Sequence, residues 1–320
     1  MSYLANVVEV GGKGGEAFHF DGTENGSLLK RISVWVNETT VKAVTVWLAD
    51  DQSKQYGRPD GDLKEFTFED GEHLTSLSLW PNQDGNRLGA IKFKTNLTRE
   101  FHVSVTNGRL YPEVPVDVAS GICIGIKGRS GWDIDRFGFI FINTIKSAEL
   151  TNVEYPNIHE VIPKVKEIDI KSMSYQNNTN TTQQYQIEAS EKITPTSSWS
   201  VTDQLEITFC LKVKAGIPLL VESSSGYELK VGDIGTYASV TTEEKMEFFP
   251  FSFKVPPGKT MDARTVIGEA NVNLPFTGII KITCCNDRVL EFGTSGTYKG
   301  VSFSDGKVVV NESTKTLGVA

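Results

Sequence analysis

The chain has 320 residues, 39% of them apolar, with 29 glycines, 12 prolines and a formal net charge of −8. That length accommodates two domains, each large enough to bury its own core, and a chain rich in Val, Ile, Thr, Ser and Gly reads as strands and turns. No Lys/Arg run offers a phosphate-binding face, so nucleic acid is not an expected partner, and direct attraction to anionic lipid is not expected either.

The first residues, Met1 to Asn6, show no basic stretch followed by an apolar one, so no signal peptide is visible. The expectation is a soluble form that is cytoplasmic, vesicular or secreted by a non-standard route. The longest apolar runs, residues 137–142 and 217–221, fall short of the roughly 18 residues of a spanning helix. Cys123, Cys210, Cys284 and Cys285 follow neither metal-ligand nor redox spacing and read as buried free thiols. The six N-x-Ser/Thr sequons (Asn25, Asn37, Asn96, Asn177, Asn180, Asn311) arise readily in so polar a chain and do not decide the compartment.

Residues 1–148 alternate short strands with Gly, Asp and Asn turns: 29–36, 43–49, 65–69, 74–79, 90–95, 100–106 and 121–127. Trp35, Trp47 and Trp80 read as core or sheet-face residues. Around 146–165 the pattern breaks at a polar, Pro-containing stretch, which sets the expected boundary between domains 1–148 and 149–320. The second half has longer strands, poorer in glycine: 168–176, 185–193, 205–214, 227–231, 246–255, 264–274, 278–283 and 289–292. Strands of about ten residues suggest an elongated sheet.

Four segments of the first half, in order, resemble the jacalin-related lectins: Gly11-Gly-Lys-Gly-Gly15-Glu-Ala-Phe18 with Asp21-Gly22, Phe66–Glu72, Leu88–Asn96, and Gly125–Gly138. The resemblance implies an all-β β-prism of three Greek-key sheets. Gly131-Trp132-Asp133-Ile134-Asp135 fits the family's G-x-x-x-D sugar loop. A hexose presents vicinal hydroxyls, and holding them takes ionised carboxylate acceptors plus backbone N–H donors at fixed spacing. Asp135 would accept two hydroxyls while the Trp132 and Asp133 amides donate. Gly15, lacking a side chain, lets backbone approach the sugar. Trp132 stands where some relatives carry an aromatic residue that packs on the sugar ring. Asp133 replaces the bulky aromatic of galactose-preferring relatives, which implies mannose-type ligands. Asn86 and Arg87 are placed to line a second edge. Taken alone, Asp133 and Asp135 read as turn caps, the usual role of Asp in a Gly-rich loop; the full motif reverses that reading.

In the second half, Leu205, Ile207, Phe209, Leu211 and Val213 alternate with polar residues up to a tip containing Gly216, Ile217, Pro218, Leu219 and Leu220. The alternation resumes with Val221, Tyr227, Leu229 and Val231. An antiparallel sheet with one wet face shows the same pattern. Arms of about 9–11 residues also suit a tilted strand crossing a bilayer, one face to lipid and the other to a lumen. Residues 196–203 and 253–259 resemble the central module of the aerolysin family. A lectin followed by such a module is the plan of the natterin-like two-domain proteins. That resemblance implies binding of cell-surface or high-mannose glycans, a dimer in solution, a homo-oligomeric ring at the lipid membrane, and hairpins refolded into a shared barrel. The alternative is a soluble mannose-binding lectin whose second half serves dimerisation or immune recognition. Acid is a plausible trigger for insertion, since Glu206, Glu222 and Glu228 border the apolar face. No catalytic motif appears, and His19, His73, His102 and His159 lie at no metal-ligand spacing. Neither an enzyme, a cofactor nor a metal is expected.

Overall fold

A computed structural model describes residues 2–313 other than 203, 204 and 225, and of Glu206 the backbone only. Asp203 of the aerolysin-like motif and the Glu206 carboxylate therefore lie outside the described residues. The fold is all-β. It divides into two compact units that are not consecutive in the chain: the first takes the chain up to Thr151 together with Val201–Lys212 and Gly278–Thr294, and the second takes the rest.

Twelve strands build the first unit's prism: β1 (Val10–Gly11), β2 (Glu16–Asp21), β3 (Leu29–Val36), β4 (Val41–Leu48), β5 (Ser53–Gly57), β6 (Asp62–Thr67), β7 (Leu74–Pro81), β8 (Leu88–Thr95), β9 (Glu100–Ser104), β10 (Val114–Val116), β11 (Cys123–Ser130) and β12 (Ile134–Phe141). They form three four-stranded sheets, ordered β1-β12-β11-β2, β5-β4-β3-β6 and β10-β7-β8-β9. Alternation explains the geometry, because successive side chains point to opposite faces of a strand. Ile32, Val34 and Val36 of β3, Leu77 and Leu79 of β7, and Phe137 and Phe139 of β12 turn inward into one core. At its centre the Phe93 ring meets Phe66 edge-on at 5.0 Å and stacks on Phe101 at 5.0 Å.

The remaining elements are β13 (Ile145–Glu154), β14 (Val165–Gln176), β15 (Gln183–Ile193), β16 (Thr196–Val201), helix α1 (Leu205–Phe209), β17 (Lys212–Ser223), β18 (Gly226–Ala238), β19 (Val240–Thr242), β20 (Lys245–Val255), β21 (Thr260–Cys284), β22 (Val289–Phe303) and β23 (Lys307–Glu312). One sheet runs β18-β17-β13-β21-β22-β16-β19, with β14 and β23 also pairing β21, and β15–β20 form a separate two-stranded ribbon. Within the second unit the Trp199 indole donates from Nε1 to Tyr155 Oη at 2.9 Å, and Tyr155 Oη donates to the Gly216 carbonyl at 3.1 Å. The turn after β14 is pinned by buried Asn177, whose amide donates to the carbonyls of Thr181 and Val255.

A single register connects four of these elements. Gln183 pairs with Val255 and Ile193 with Lys245 along β15–β20. Thr196 pairs with Thr242 and Ser198 with Val240 along β16–β19, and the Trp199 amide donates to the Ser239 carbonyl. Each step inward on one strand is one step inward on the other. Beyond this point the register breaks: Gly216 lies against Gly232, and Ser223 Oγ donates to the Gly226 carbonyl.

Several sequence expectations are corrected. The arm expected over 205–214 is not one strand: residues 205–209 form α1, and β17 starts at Lys212. Leu205 and Phe209 are four apart, a spacing shared by one strand face and one helix face. Both are buried, while Ile207 between them turns outward, as a helix requires. The expected tip from Ala215 to Leu220 lies inside β17, and the turn to β18 falls after Ser223. The expected apolar face is divided accordingly: Leu211, Val213, Leu220 and Leu229 are buried, whereas Leu219 and Val231 are exposed. The strands expected at 264–274 and 278–283 are one strand, β21, in which Leu274 and Phe276 stay buried on either side of outward-facing Pro275. Of the four thiols expected inside, Cys123 and Cys284 are buried but Cys210 and Cys285 are exposed.

Candidate sugar-binding site

The loop 131–133 joining β11 to β12 carries the G-x-x-x-D residues, and a bulge aims its carboxylate. Arg129 pairs with Arg136 but Ser130 pairs with Ile134, so Asp135 is the extra residue on β12. A bulge re-aims the side chain it inserts. Asp135 is nearly sequestered, at 3% exposure. Its carbonyl accepts the Gly12 amide at 2.7 Å, which ties the glycine-rich segment to the loop. A Cβ at Gly15, whose φ is +63°, would come within 2.4 Å of Asp135 Oδ2 and 2.5 Å of the Ser130 carbonyl carbon. Only glycine fits there, on both conformational and steric grounds.

Cations from two other strands hold the carboxylates. Arg87, at the foot of β8, reaches Asp135 Oδ1 from Nη1 at 3.0 Å and Asp133 Oδ2 from Nε at 3.4 Å. Lys42 of β4 reaches Asp133 Oδ1 at 2.5 Å. Asn82 Oδ1 accepts the Asn86 and Arg87 amides, each at 3.1 Å, and so fixes the loop from which Arg87 springs. With Oδ1 engaged by Arg87, Oδ2 is the Asp135 oxygen turned toward the Gly15 backbone. Among the described residues, the amides of Gly15, Trp132 and Asp133 donate to no protein acceptor. The site thus combines one oriented carboxylate with three unsatisfied donors. Trp132 stands beside it, 71% exposed, with the Arg58 guanidinium 4.8 Å from its ring centre.

The sequence-derived residues Gly15, Arg87, Gly131, Trp132, Asp133 and Asp135 are thereby brought together. Arg87 does more than line an edge, since it bridges both carboxylates. Asn86 contributes its carbonyl, which accepts from Arg87 Nη1 at 2.9 Å. Lys42 and Arg58 escaped sequence reading, because neither belongs to a local motif and Lys42 is 91 positions from its partner. Trp35, Trp47 and Trp80 are half-buried sheet-face residues, and Arg31 lies over Trp47 at 4.4 Å.

Residues 7–140 match the jacalin-like lectin domain. The crystal structure of lamprey immune protein covers 98% of this chain and 100% of its own, at 44% identity and a TM-score of 0.90. The wild-type Malaysian banana lectin covers 43% of this chain and 100% of its own, at 22% identity and a TM-score of 0.36. A mannose-binding jacalin-related lectin from Ananas comosus covers 43% and 97%, at 22% identity and 0.36. No curated protein matches. Fold and site together define a carbohydrate-binding lectin domain of the jacalin-like class, carried on an extended β-module. The chain belongs to the family of the lamprey immune protein, a group of natterin-like two-domain proteins.

Proposed function

We propose that this protein grips mannose-type glycans at Asp135 and then forms membrane pores as a ring of copies, acting by binding and insertion without enzymatic chemistry. The observation that carries the sugar reading is the bulged Asp135 carboxylate, Oδ2 toward the Gly15 backbone, among the free amides of Gly15, Trp132 and Asp133. A pair of vicinal hydroxyls offers two donors to that oxygen and acceptors to the amides. The absence of a bulky side chain at position 133, with Asp133 drawn aside by Lys42 and Arg87, favours mannose-type over galactose-type rings.

Pore formation is supported by the register of the second unit. Continued inward from Ser198 and Val240, it would pair Ile207 with Val231, Phe209 with Leu229 and Leu211 with Tyr227, and turn at Pro218–Leu220. These are the apolar positions of both arms, brought onto one face of a single hairpin running from Gln183 to Val255. In the soluble form the register is interrupted, with α1 holding residues 205–209 in a helix. Extension of the hairpin would place its apolar face toward lipid, and closure into a ring would satisfy backbone groups that an isolated hairpin leaves unmet.

Dye release from liposomes bearing high-mannose glycan, at neutral and mildly acidic pH, tests both parts. Release that free mannose suppresses, and that Asp135→Ala abolishes without loss of folding, is the expected result. Binding that survives Asp135→Ala would remove the site assignment. Binding without release at either pH, and without stable oligomers, would remove the pore.

A further inference from the structure

The second unit contains a cavity of about 410 Å³, a size that holds a small molecule. Its floor is apolar: Ile193, Phe249 and Ile267 are buried together, and Phe303 packs against them. Ile217 and Leu219 of β17 form one wall. Leu219 is 45% exposed although it stands mid-strand between buried Pro218 and Leu220. An apolar side chain left half in water gains by being covered. Tyr237, its ring stacked on Trp199 at 5.5 Å, forms another wall.

The wall hydroxyls are already spent inside the protein. Thr196 Oγ1 accepts the Val301 amide at 3.0 Å, Ser302 Oγ the Leu220 amide at 2.9 Å and Ser304 Oγ the Gly268 amide at 2.9 Å. Of the charged side chains that line the cavity, Lys245 and Glu247 neutralise each other at 2.6 Å. Glu243 and Asp305 remain, and neither carboxylate forms an ion pair or a side-chain hydrogen bond among the described residues. Both positions are built in. The Glu243 amide donates to the Pro195 carbonyl at 3.1 Å. A Cβ on Gly306 would come within 2.3 Å of the Phe249 ring, so the turn that carries Asp305 rests on this aromatic only with glycine there. Two uncompensated carboxylates beside an apolar floor complement a cation with an apolar body.

We propose that this cavity binds a small amphipathic amine, its protonated nitrogen held by Glu243 and Asp305 and its aromatic or aliphatic body laid on Ile193, Phe249 and Phe303. The site stands on the cavity alone, whereas its consequence for insertion rests on the pore reading above. The continuous hairpin keeps Ile193 paired with Lys245 but carries Ile217 and Leu219 away to its turn, so extension removes the β17 wall. A ligand bound only by the soluble form favours that form by a factor of one plus the ratio of its concentration to its Kd, and so holds the hairpin back.

The test is calorimetric titration of the full-length protein, at neutral pH, with three molecules of one shape: tryptamine, its alcohol tryptophol and the anion indolepropionate. Wild type should bind tryptamine roughly tenfold more tightly than tryptophol, as one charge-assisted contact at a partly exposed site allows, and indolepropionate most weakly. Glu243→Gln combined with Asp305→Asn should bring tryptamine to the affinity of tryptophol. Leu219→Trp, which fills the cavity from an exposed position, should bind none of them. Saturating tryptamine should slow dye release from glycan-bearing liposomes by wild type and leave release by the double variant as fast as without it. Equal binding of the three molecules, an amine preference that survives the double variant, or binding that survives Leu219→Trp would overturn the site, as would no binding at all. Tight tryptamine binding with undiminished release would overturn the coupling to the hairpin. A wild type that never releases dye would remove the pore reading, and calorimetry alone would then decide the site.

Discussion

Single residues here acquire their chemistry from where the backbone puts them. Asp135 is aimed by a one-residue bulge, and the four thiols divide by burial. Cys123 is pushed up to about 12, first by burial, with hydrogen bonds to Gly125 and Ile140 opposing; burial also raises Cys284. Thiolate is the reactive form, so iodoacetamide at neutral pH should label Cys210 and Cys285 in the native protein, and Cys123 and Cys284 only after denaturation, as read by peptide mass spectrometry. In the second unit, burial is the main cause that raises the Tyr155 phenol above its ordinary value near 10, with Tyr298 and Tyr237 adding and the Trp199 bond opposing. A raised phenol favours the folded state fully below about pH 10, and that contribution is lost as pH climbs through the folded value. Alkaline titration of Trp fluorescence should therefore show the wild type losing stability above pH 10. Trp199→Phe should cost about 1–3 kcal/mol in urea melts at neutral pH, since it leaves the Tyr155 hydroxyl without its donor. The sugar-loop residues were legible because they lie within five consecutive positions plus one glycine motif. Lys42 and Arg58 were not, because only the packing of a second sheet brings them to the loop.

Among the elements, those whose alternation admits one reading were plain in the sequence: β3 matches its expected bounds at both ends, and β14, β15 and β20 do so at one end and within a few residues at the other. Leu205–Phe209 was not legible, since buried positions four apart satisfy a helix and a strand alike; Ile207 alone tells them apart, by facing outward. Register was equally hidden, because a shift of β17 against β18 changes the partner of every residue while leaving the sequence pattern intact. These two ambiguities coincide in the same stretch. A chain that can set Gly232 against Gly216 or Val231 against Ile207 has two competing hairpins. Cysteines placed at Ile207 and Val231, with Cys210 and Cys285 changed to Ser, should form a disulfide on glycan-bearing liposomes and fail to form one in solution. Equal cross-linking in both settings, or none on membranes, would dispose of the continuous hairpin.

At the scale of the molecule, two levels of organisation overlie one another. The first unit's stability rests on a shared aromatic centre, and Phe93→Ala should lower it by about 3–5 kcal/mol, as burial at 0% exposure predicts for a lost core ring. Calorimetry would register the loss in the transition that free ligand also shifts upward. The all-β class and the lectin plan were readable from turn spacing and motif order. The threading of the chain through its units was not, because residues 201–212 and 278–294 carry no mark of their destination.

That threading bears on heredity as well as on folding. The twelve strands of the prism lie in one stretch of chain, Val10 to Phe141, which a single gene segment could carry, whereas the compact unit around them draws on three stretches. A fragment ending at Thr151 would leave behind two stretches that complete the unit, among them the buried Leu205 and Phe209. Changes in the prism and changes in the two later stretches that complete its unit would therefore be inherited together only while all three stay in one gene.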